Sequence, residues 1–276
     1  MKKILTCYLL ISAYVLHAQT IADYIVYYNF IFITDTVATT FSSPEEFKLL
    51  RVGQESKFAA SAMYYNDSIM MAFKKDYPEP DFKSPKEVQT YVNLVTERVI
   101  RKSVRSNYKI IKNFQSGSVL SFAMYLSLPL QHMEEPMALA WELTGETDTI
   151  LGLSCMQAVT NYGGRRYYAW FTLEVPINDG PYVFQGLPGL ILRIVDDKGW
   201  YTFTATNITT DKSQVVIRNW MEDKSQKVDR KTFVQKTIAH KQNPTMPTSI
   251  IDFPEDQLLE QKKNFEKRFD LIIEQL

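Results

Sequence analysis

The chain has 276 residues, 45% of them apolar, with 31 basic and 31 acidic side chains and no formal net charge at neutral pH. That balance leaves no basic excess to hold nucleic acid or an anionic membrane. The length allows one large or two small domains, and a content of 16 Tyr, 16 Phe and only 10 Gly favours sheet over loop-rich structure.

The first residues, MKKILTCYLLISAYVLHAQT, join Lys2 and Lys3 to an apolar run over residues 4–16, with Ala18 as a small residue before a cut. This is the three-part layout of a secretory signal. The run falls short of the ~20 apolar residues that a spanning helix needs. Cleavage after Ala18 leaves 258 residues, with 29 bases against 31 acids and Cys155 as the one thiol. No intrachain disulfide is then possible. Cys7 lies inside the apolar run, too early to be a lipidated first residue. The expectation is an exported, soluble chain: residues 1–18 as signal and residues 19–276 as one domain.

IADYIVYYNFIFIT (21–34) is dense in β-branched and aromatic residues and predicts a long strand. Ser43 and Pro44 give SSPEEFKLLRVG (42–53) the look of a helix start, or of a loop feeding a strand through residues 49–58. NDSIMMAFKK (66–75) predicts a short helix capped by Asn66 or Asp67. DYPEPDFKSPKE (76–87), with three prolines, predicts a loop. EVQTYVNLVTERVIRKS (87–103) lacks a clean helical stripe and fits helix or strand.

From Asn107 the pattern becomes regular. YKIIKNF and SVLSFAMYLSL read as strands round the turn QSGS. ALAWELTG, DTILGLSCMQAVTNY, RRYYAWFTLEVPI, GLILRIVDD, WYTFTATNIT and QVVIRNW follow. Turn formers at Gly145, Gly163 with Gly164, Asp179 with Gly180, residues 196–199 and Asp211 divide them into an antiparallel meander. In the tail, Asp252 and Glu255 have capping-box spacing, and Pro254 suits an early helical position. Leu258, Phe265, Phe269, Ile272 and Leu276 then recur at helical intervals. The fold class expected is α+β: a curved, half-barrel-like antiparallel sheet with a few helices, one of them an amphipathic C-terminal helix.

The segment YVFQGLPGLILRIVDD (182–197) admits two readings. A phosphate loop needs glycine-rich backbone ending at a helix N-terminus, but here LILRIV follows, which is strand-like, and no Gly-Lys-Ser/Thr is present. A turn is the better reading. In Leu187-Pro188-Gly189-Leu190, the proline presets φ and Gly189 supplies the positive φ of a type II turn. Gly180 and Pro181 make another break just before it, and Gly186 opens the motif.

These residues carry a resemblance. CMQAVTNYGGRRYYAWFTLEVPINDGPYVFQGLPGLILRIVDD, within residues 141–208, resembles the GLPGLI family of exported Bacteroidota proteins, a family of unknown function. Cys155, Ala158, Gly164, Arg165, Tyr167, Ala169, Trp170, Thr172, Pro176, Gly180, Pro181, Phe184 and residues 186–192 fall on its pattern, with Phe171 a mild variation. The genes of that family often stand near those of TonB-dependent outer-membrane transporters, which implies an envelope role without an activity. The tryptophan-bearing strand and LILRIVDDKGWYTFTATNI also look like the periplasmic lipoprotein-carrier fold. That is analogy, since fold does not fix function.

The candidate chemistry is sparse. Cys155 with His132 or His240 offers a thiol and a base, but ILGLSCMQA is an apolar stretch, where cysteine is usually a buried small hydrophobe. The HMEEPM loop from His132 to Met137 offers soft and hard metal ligands without a second cluster to complete a site. Arg165 and Arg166 beside Tyr167, Tyr168 and Trp170 suit a carboxylate, phosphate or sugar. The plainer reading sets the arginines on the wet face and the aromatics in the core. DTV, DSI and DTI match a short O-glycosylation pattern that also arises by chance.

The function expected is a non-enzymatic periplasmic or envelope binding or accessory protein. Its ligand is an apolar small molecule or a peptide, or its partner is a TonB-dependent outer-membrane transporter. It has no cofactor, no metal, no nucleic acid and no transmembrane segment. Arg165, Tyr168 and Trp170 are the ligand-binding candidates. Gly180, Pro181, Gly186, Leu187, Pro188 and Gly189 form a structural motif. The alternatives are a metal-binding or hydrolytic enzyme using the His132 loop or Cys155, and a purely structural interaction module.

Overall fold

The computed structural model describes residues 20–21, 23–35, 38–81, 83–106, 108–123, 131–210, 214–215, 222 and 225–242. The signal segment, His240's side chain and the amphipathic tail over residues 252–276 lie outside the described side chains or residues. The elements in chain order are β1 (Thr20–Ile21), β2 (Tyr24–Asp35), β3 (Thr40–Phe41), β4 (Glu45–Val52), β5 (Glu55–Ala60), α1 (Ser61–Asp76), α2 (Pro85–Arg98), β6 (Tyr108–Asn113), β7 (Ser118–Ala123), β8 (Gln131–Pro136), β9 (Glu142–Ile150), β10 (Leu153–Tyr162), β11 (Arg165–Thr172), β12 (Leu190–Asp196), β13 (Tyr201–Thr209), β14 (Gln214–Val215), β15 (Gln226–Val228) and α3 (Arg230–Gln242).

One large, open sheet dominates, in the order β15-β8-β7-β6-β5-β4-β2-β13-β12-β11-β10-β9, with β3 paired to β2. All its pairings are antiparallel except β15 with β8. The long β2 sits at the middle because its alternation serves two faces. Val26, Tyr28 and Phe30 are buried on the inner face beside Phe47 and Leu49 of β4. Ile25 and Leu50 are buried on the outer face with Tyr64 of α1. Register shifts interrupt the pairings of β9 with β10, β11 with β12 and β13 with β2. Such bulges bend strands and increase twist. The sheet curls far enough for its ends to meet through side chains: the Tyr162 hydroxyl of β10 donates to Glu135 Oε2 of β8 at 3.0 Å, and Arg230 of α3 donates to Glu135 Oε1 at 2.5 Å.

Two open readings, those of residues 42–53 and 87–103, are decided, and several local expectations are corrected. Ser43 and Pro44 precede a strand, β4, because Phe47, Leu49 and Leu50 are needed in the two cores. The first helix begins at Ser61, not at Asn66. Its N-cap, Ala60, has no side-chain bond, so the sequence carried no start signal there. α2 is a helix, with Ser84 Oγ accepting from Glu87 N and Pro85 in the first turn. HMEEPM is not a loop but strand β8, and Gly145 lies within β9 rather than ending a strand. Strand β11 stops at Thr172, well short of Ile177.

Residues 173–189 form an excursion between β11 and β12. Its two limbs are joined by Leu190 N to Val175 O (3.0 Å) and Ile191 N to Asp179 O (3.0 Å). The type II turn is not present as expected: Gly189 does not have positive φ, whereas Gly186 does, at +95°, beneath the Trp141 indole. Glycine is required at 189 for a different reason. A Cβ there would stand 2.0 Å from the Thr172 carbonyl oxygen, and one at Gly180 would stand 2.7 Å from Ile191 Cβ. Gly189→Ala is therefore expected to cost about 3 kcal/mol or more in urea unfolding, the upper end for overpacking a fixed contact. Gly53→Ala, at φ +53° in open space, is expected to cost about 1–2 kcal/mol from backbone strain alone. Equal losses at the two positions would contradict the close-approach account.

Candidate functional site

The excursion enters the hollow of the sheet. Tyr182, Val183, Phe184 and Leu187 are buried in the main core with Phe47, Phe58, Ile110 and Phe203. The Phe184 ring lies 4.7 Å from that of Tyr167, and Tyr182 meets Tyr108 edge-on at 5.4 Å. The anchor is ionic. Strand pairing puts Lys112 of β6 on the same inner face as Ile110 and Phe58, and its side chain has no solvent exposure. The Lys112 ammonium donates to Asp179 Oδ1 at 2.7 Å, to the Gly180 carbonyl at 2.5 Å and to the Phe184 carbonyl at 3.1 Å. All three of its protons are thus used. Asp179 Oδ1 also accepts from Gly180 N at 2.8 Å. Arg51 stands 3.6 Å from Asp179 Oδ2, with its guanidinium 3.7 Å over the Phe114 ring. Tyr28 donates to the Ile191 carbonyl at 2.7 Å, and the Trp141 indole to that of Gln185 at 2.8 Å. Burial pulls the Lys112 ammonium below its ordinary pKa of 10.5, and Asp179 opposes that pull.

A second ionic cluster lies on the outer face of the same strands. Lys57 and Lys109 share Asp67 of α1 and the fully buried Glu222. Lys109 reaches Asp67 at 2.6 Å and Glu222 at 3.2 Å; Lys57 reaches Glu222 at 3.1 Å. Tyr64 donates to the Lys57 carbonyl at 2.7 Å. Two ammoniums and two carboxylates balance, which makes the cluster a fastening of α1 and the Glu222 segment to the sheet.

The residues singled out from the sequence fall on opposite faces. Arg165 belongs to the inner alternation with Tyr167 and Ala169, is buried, and pairs with Asp196 at 3.1 Å. Tyr168 and Trp170 lie half-buried on the outer face. The Arg193 guanidinium stacks 4.0 Å over Trp170 and binds Asp148 at 2.5 Å, while Arg166 lies 5.7 Å over Tyr168. The expected arrangement of wet arginines and buried aromatics is thus broken by Arg165. His132, half-buried on β8, has Nδ1 2.7 Å from Ser225 Oγ, whose hydroxyl donates to the Glu222 carbonyl. Cys155 is buried, and burial raises its thiol pKa. Among the described residues no three His, Cys, Asp or Glu side chains are grouped to hold a metal ion. Lys112, Asp179 and Arg193 were missed. The available signal was a lysine at each end of KIIK, whose two apolar residues are buried on opposite faces.

Residues 164–193 match the family described as "Protein of unknown function (Porph_ging)", a span that covers β11, the excursion and the start of β12. No curated protein matches the chain. Two solved structures are similar at 16% identity: "Structure of PNGF-II in P21 space group", TM-score 0.48, and "Structure of PNGF-II in C2 space group", TM-score 0.47. In each the alignment covers 77% of this chain and 32% of the other.

The buried phenols fix the behaviour at high pH. Desolvation, the largest cause, raises Tyr28, Tyr64 and Tyr108 well above 10.0, with Asp179, Glu222 and Glu45 respectively as the leading charges that add to it. Above pH 10 the unfolded chain loses these protons and the folded chain keeps them, so stability falls as pH rises. Three phenols give up to about 4 kcal/mol per pH unit. Lys112 runs the other way: its folded pKa is depressed, so its contribution grows as pH rises and is complete above 10.5. The Tyr108 hydroxyl is buried without a hydrogen-bond partner. Tyr108→Phe is expected to hold or raise stability at pH 7 and to reduce the alkaline slope by about 1.4 kcal/mol per pH unit. Urea unfolding from pH 7 to 12 measures both; an unchanged slope would contradict the assignment.

Proposed function

We propose that the chain is an exported envelope protein of the GLPGLI type that acts by binding, without catalysis, a peptide segment of a partner, with a TonB-dependent outer-membrane transporter as the partner class. The signal-like start supports export, and residues 19–276 act as one domain, the tail adding an amphipathic helix to a half-barrel-like sheet. One observation carries the binding mode. The excursion occupies the inner face with its own side chains, while Tyr168 and Trp170 stand half-exposed on the outer face, flanked by Arg166 and Arg193. Rigid aromatic rings beside guanidiniums suit a polypeptide partner, because aromatic and arginine side chains dominate binding energy at protein interfaces. An apolar small molecule in the hollow would first have to displace Tyr182, Phe184 and Leu187. The hydrolytic alternative draws less support, since Cys155 is buried with a raised pKa and the Ser225 proton already goes to a carbonyl.

Native mass spectrometry of the chain purified from its own envelope is the test. A peptide- or protein-bound mass is expected, together with its loss in the Trp170→Ala, Tyr168→Ala double variant. That variant is expected to melt within about 5 °C of the parent, because its truncations are half-exposed. A stoichiometric lipid or metal, or a bound mass indifferent to both substitutions, would overturn the reading.

A further inference from the structure

Strand β9 ends the sheet, and among the described residues it pairs with β10 alone. One row of its backbone N–H and C=O groups therefore faces outward, broken at residues 144–146 by a register shift with Gly145 at φ +87°, and an open edge on either side of such a bulge is a template for another strand. Two features of this edge bear on what it accepts. Its sequence, ELTGETDTI, holds Glu142, Glu146 and Asp148 and no base. Glu142, opposite Val159, and Asp148, opposite Cys155, lie on the outer face on either side of a register shift that holds Glu146 and Thr144, whose hydroxyl binds Gln157 at 2.9 Å; Asp148 is already taken by Arg193 and by Thr149 N. The next feature is apolar. Leu143 is 63% exposed, and at the end of β9 the two-residue turn Leu151-Gly152 has positive φ at both positions, with Leu151 at +54° and 46% exposed. Such a turn favours Asn, Asp or Gly at its first position. A leucine there is strained and wet at once, and neither burial nor turn chemistry accounts for it. Leu173, 54% exposed, leaves β11 at the same end of the sheet.

We propose that β9 is a docking edge for an extended segment of a partner protein that carries Lys or Arg between apolar residues. The segment adds to the sheet as a further strand, its basic side chains facing Glu142 and Glu146 and its apolar ones reaching Leu143 and Leu151. Main-chain hydrogen bonds supply affinity in this mode and alternate side chains supply selectivity. Carboxylates along β9 work against a second copy of the chain, because an edge-to-edge dimer would set them opposite one another. They favour a basic strand for the same reason. The inference rests on the reading that the chain binds a protein partner, and it adds the form and charge of the segment and a backbone edge that adjoins the Trp170 surface through Arg193.

The experiment uses the full mature chain and two capped octapeptides, one alternating Lys and Val and the other Glu and Val, with amide hydrogen exchange followed over residues 142–150. Outward amides of β9 other than that of Thr149, which already donates to Asp148, are expected to exchange quickly in the free protein and to become protected by the Lys-Val peptide, with affinity about tenfold above that for the Glu-Val peptide, as two cross-strand charge pairs, favourable in one peptide and repulsive in the other, imply. Glu142→Lys with Glu146→Lys is expected to abolish or reverse that preference. Leu151→Asn is expected to keep or raise the melting midpoint while weakening the Lys-Val peptide. Amides already protected in the free chain, a dimer in sedimentation that buries them, no protection by the Lys-Val peptide, or equal protection by both peptides would each overturn the proposal. If the peptide fails while the natural partner is still retained through Trp170, the edge inference falls alone. If the peptide protects β9 but no natural partner is found, the edge stands and the broader reading falls.

Discussion

An ammonium shut away from water loses several kcal/mol of hydration, so Lys112 keeps its place on β6 only because acceptors are brought to it. Those acceptors all come from one piece of chain: the Asp179 carboxylate and the carbonyls of Gly180 and Phe184. The dependence runs both ways. An excursion of some seventeen residues between β11 and β12 would ordinarily be a surface loop. Here it turns inward because its one buried carboxylate meets a buried cation, with Tyr28 and Trp141 taking two further carbonyls. The tight glycines follow from that seat, since Gly189 passes against the Thr172 carbonyl and Gly180 against Ile191.

Filling the hollow this way has a consequence for function. Curved sheets that carry apolar cargo keep a cavity between sheet and cover. This one places Tyr182, Val183, Phe184 and Leu187 there, all from its own chain. The outer side of β4 to β6 is fastened down by α1 and the Lys57, Lys109, Asp67 and Glu222 cluster. On the reading proposed above, the outer face round Trp170 and the β9 edge are the surfaces offered to a partner. A braced sheet also suits such surfaces, because side chains on rigid elements lose little entropy when they are covered.

The strands of the second half were legible because alternation and turn glycines mark them, and β6, β7 and β10 to β13 lie near where the pattern puts them. The first half was less so. Helix α1 starts without a cap, and β4 is entered through Ser43-Pro44-Glu45-Glu46, a run that elsewhere opens a helix; only the tertiary need for Phe47 and Leu49 decides it. The Gly-Leu-Pro-Gly stretch is followed by a strand, β12, as its sequence predicts, and not by a helix. Its mechanism did not read out, because a contact between Gly189 and Thr172 across 17 positions has no local signature. Arg165 was singled out, but its burial was invisible for the same reason: its partner, Asp196, lies on the neighbouring strand. Buried charges are set by pairing register, and a single sequence does not print register.

The central claim is that Lys112 and Asp179 act as one unit in seating the excursion. A double-mutant cycle in urea unfolding, with Lys112→Met, Asp179→Asn and the two combined, measures that coupling directly. The account predicts that each single variant loses several kcal/mol by leaving a buried group without its counter-charge, and that the combined variant loses at least about 2 kcal/mol less than their sum. Losses that add to within about 0.5 kcal/mol would contradict it.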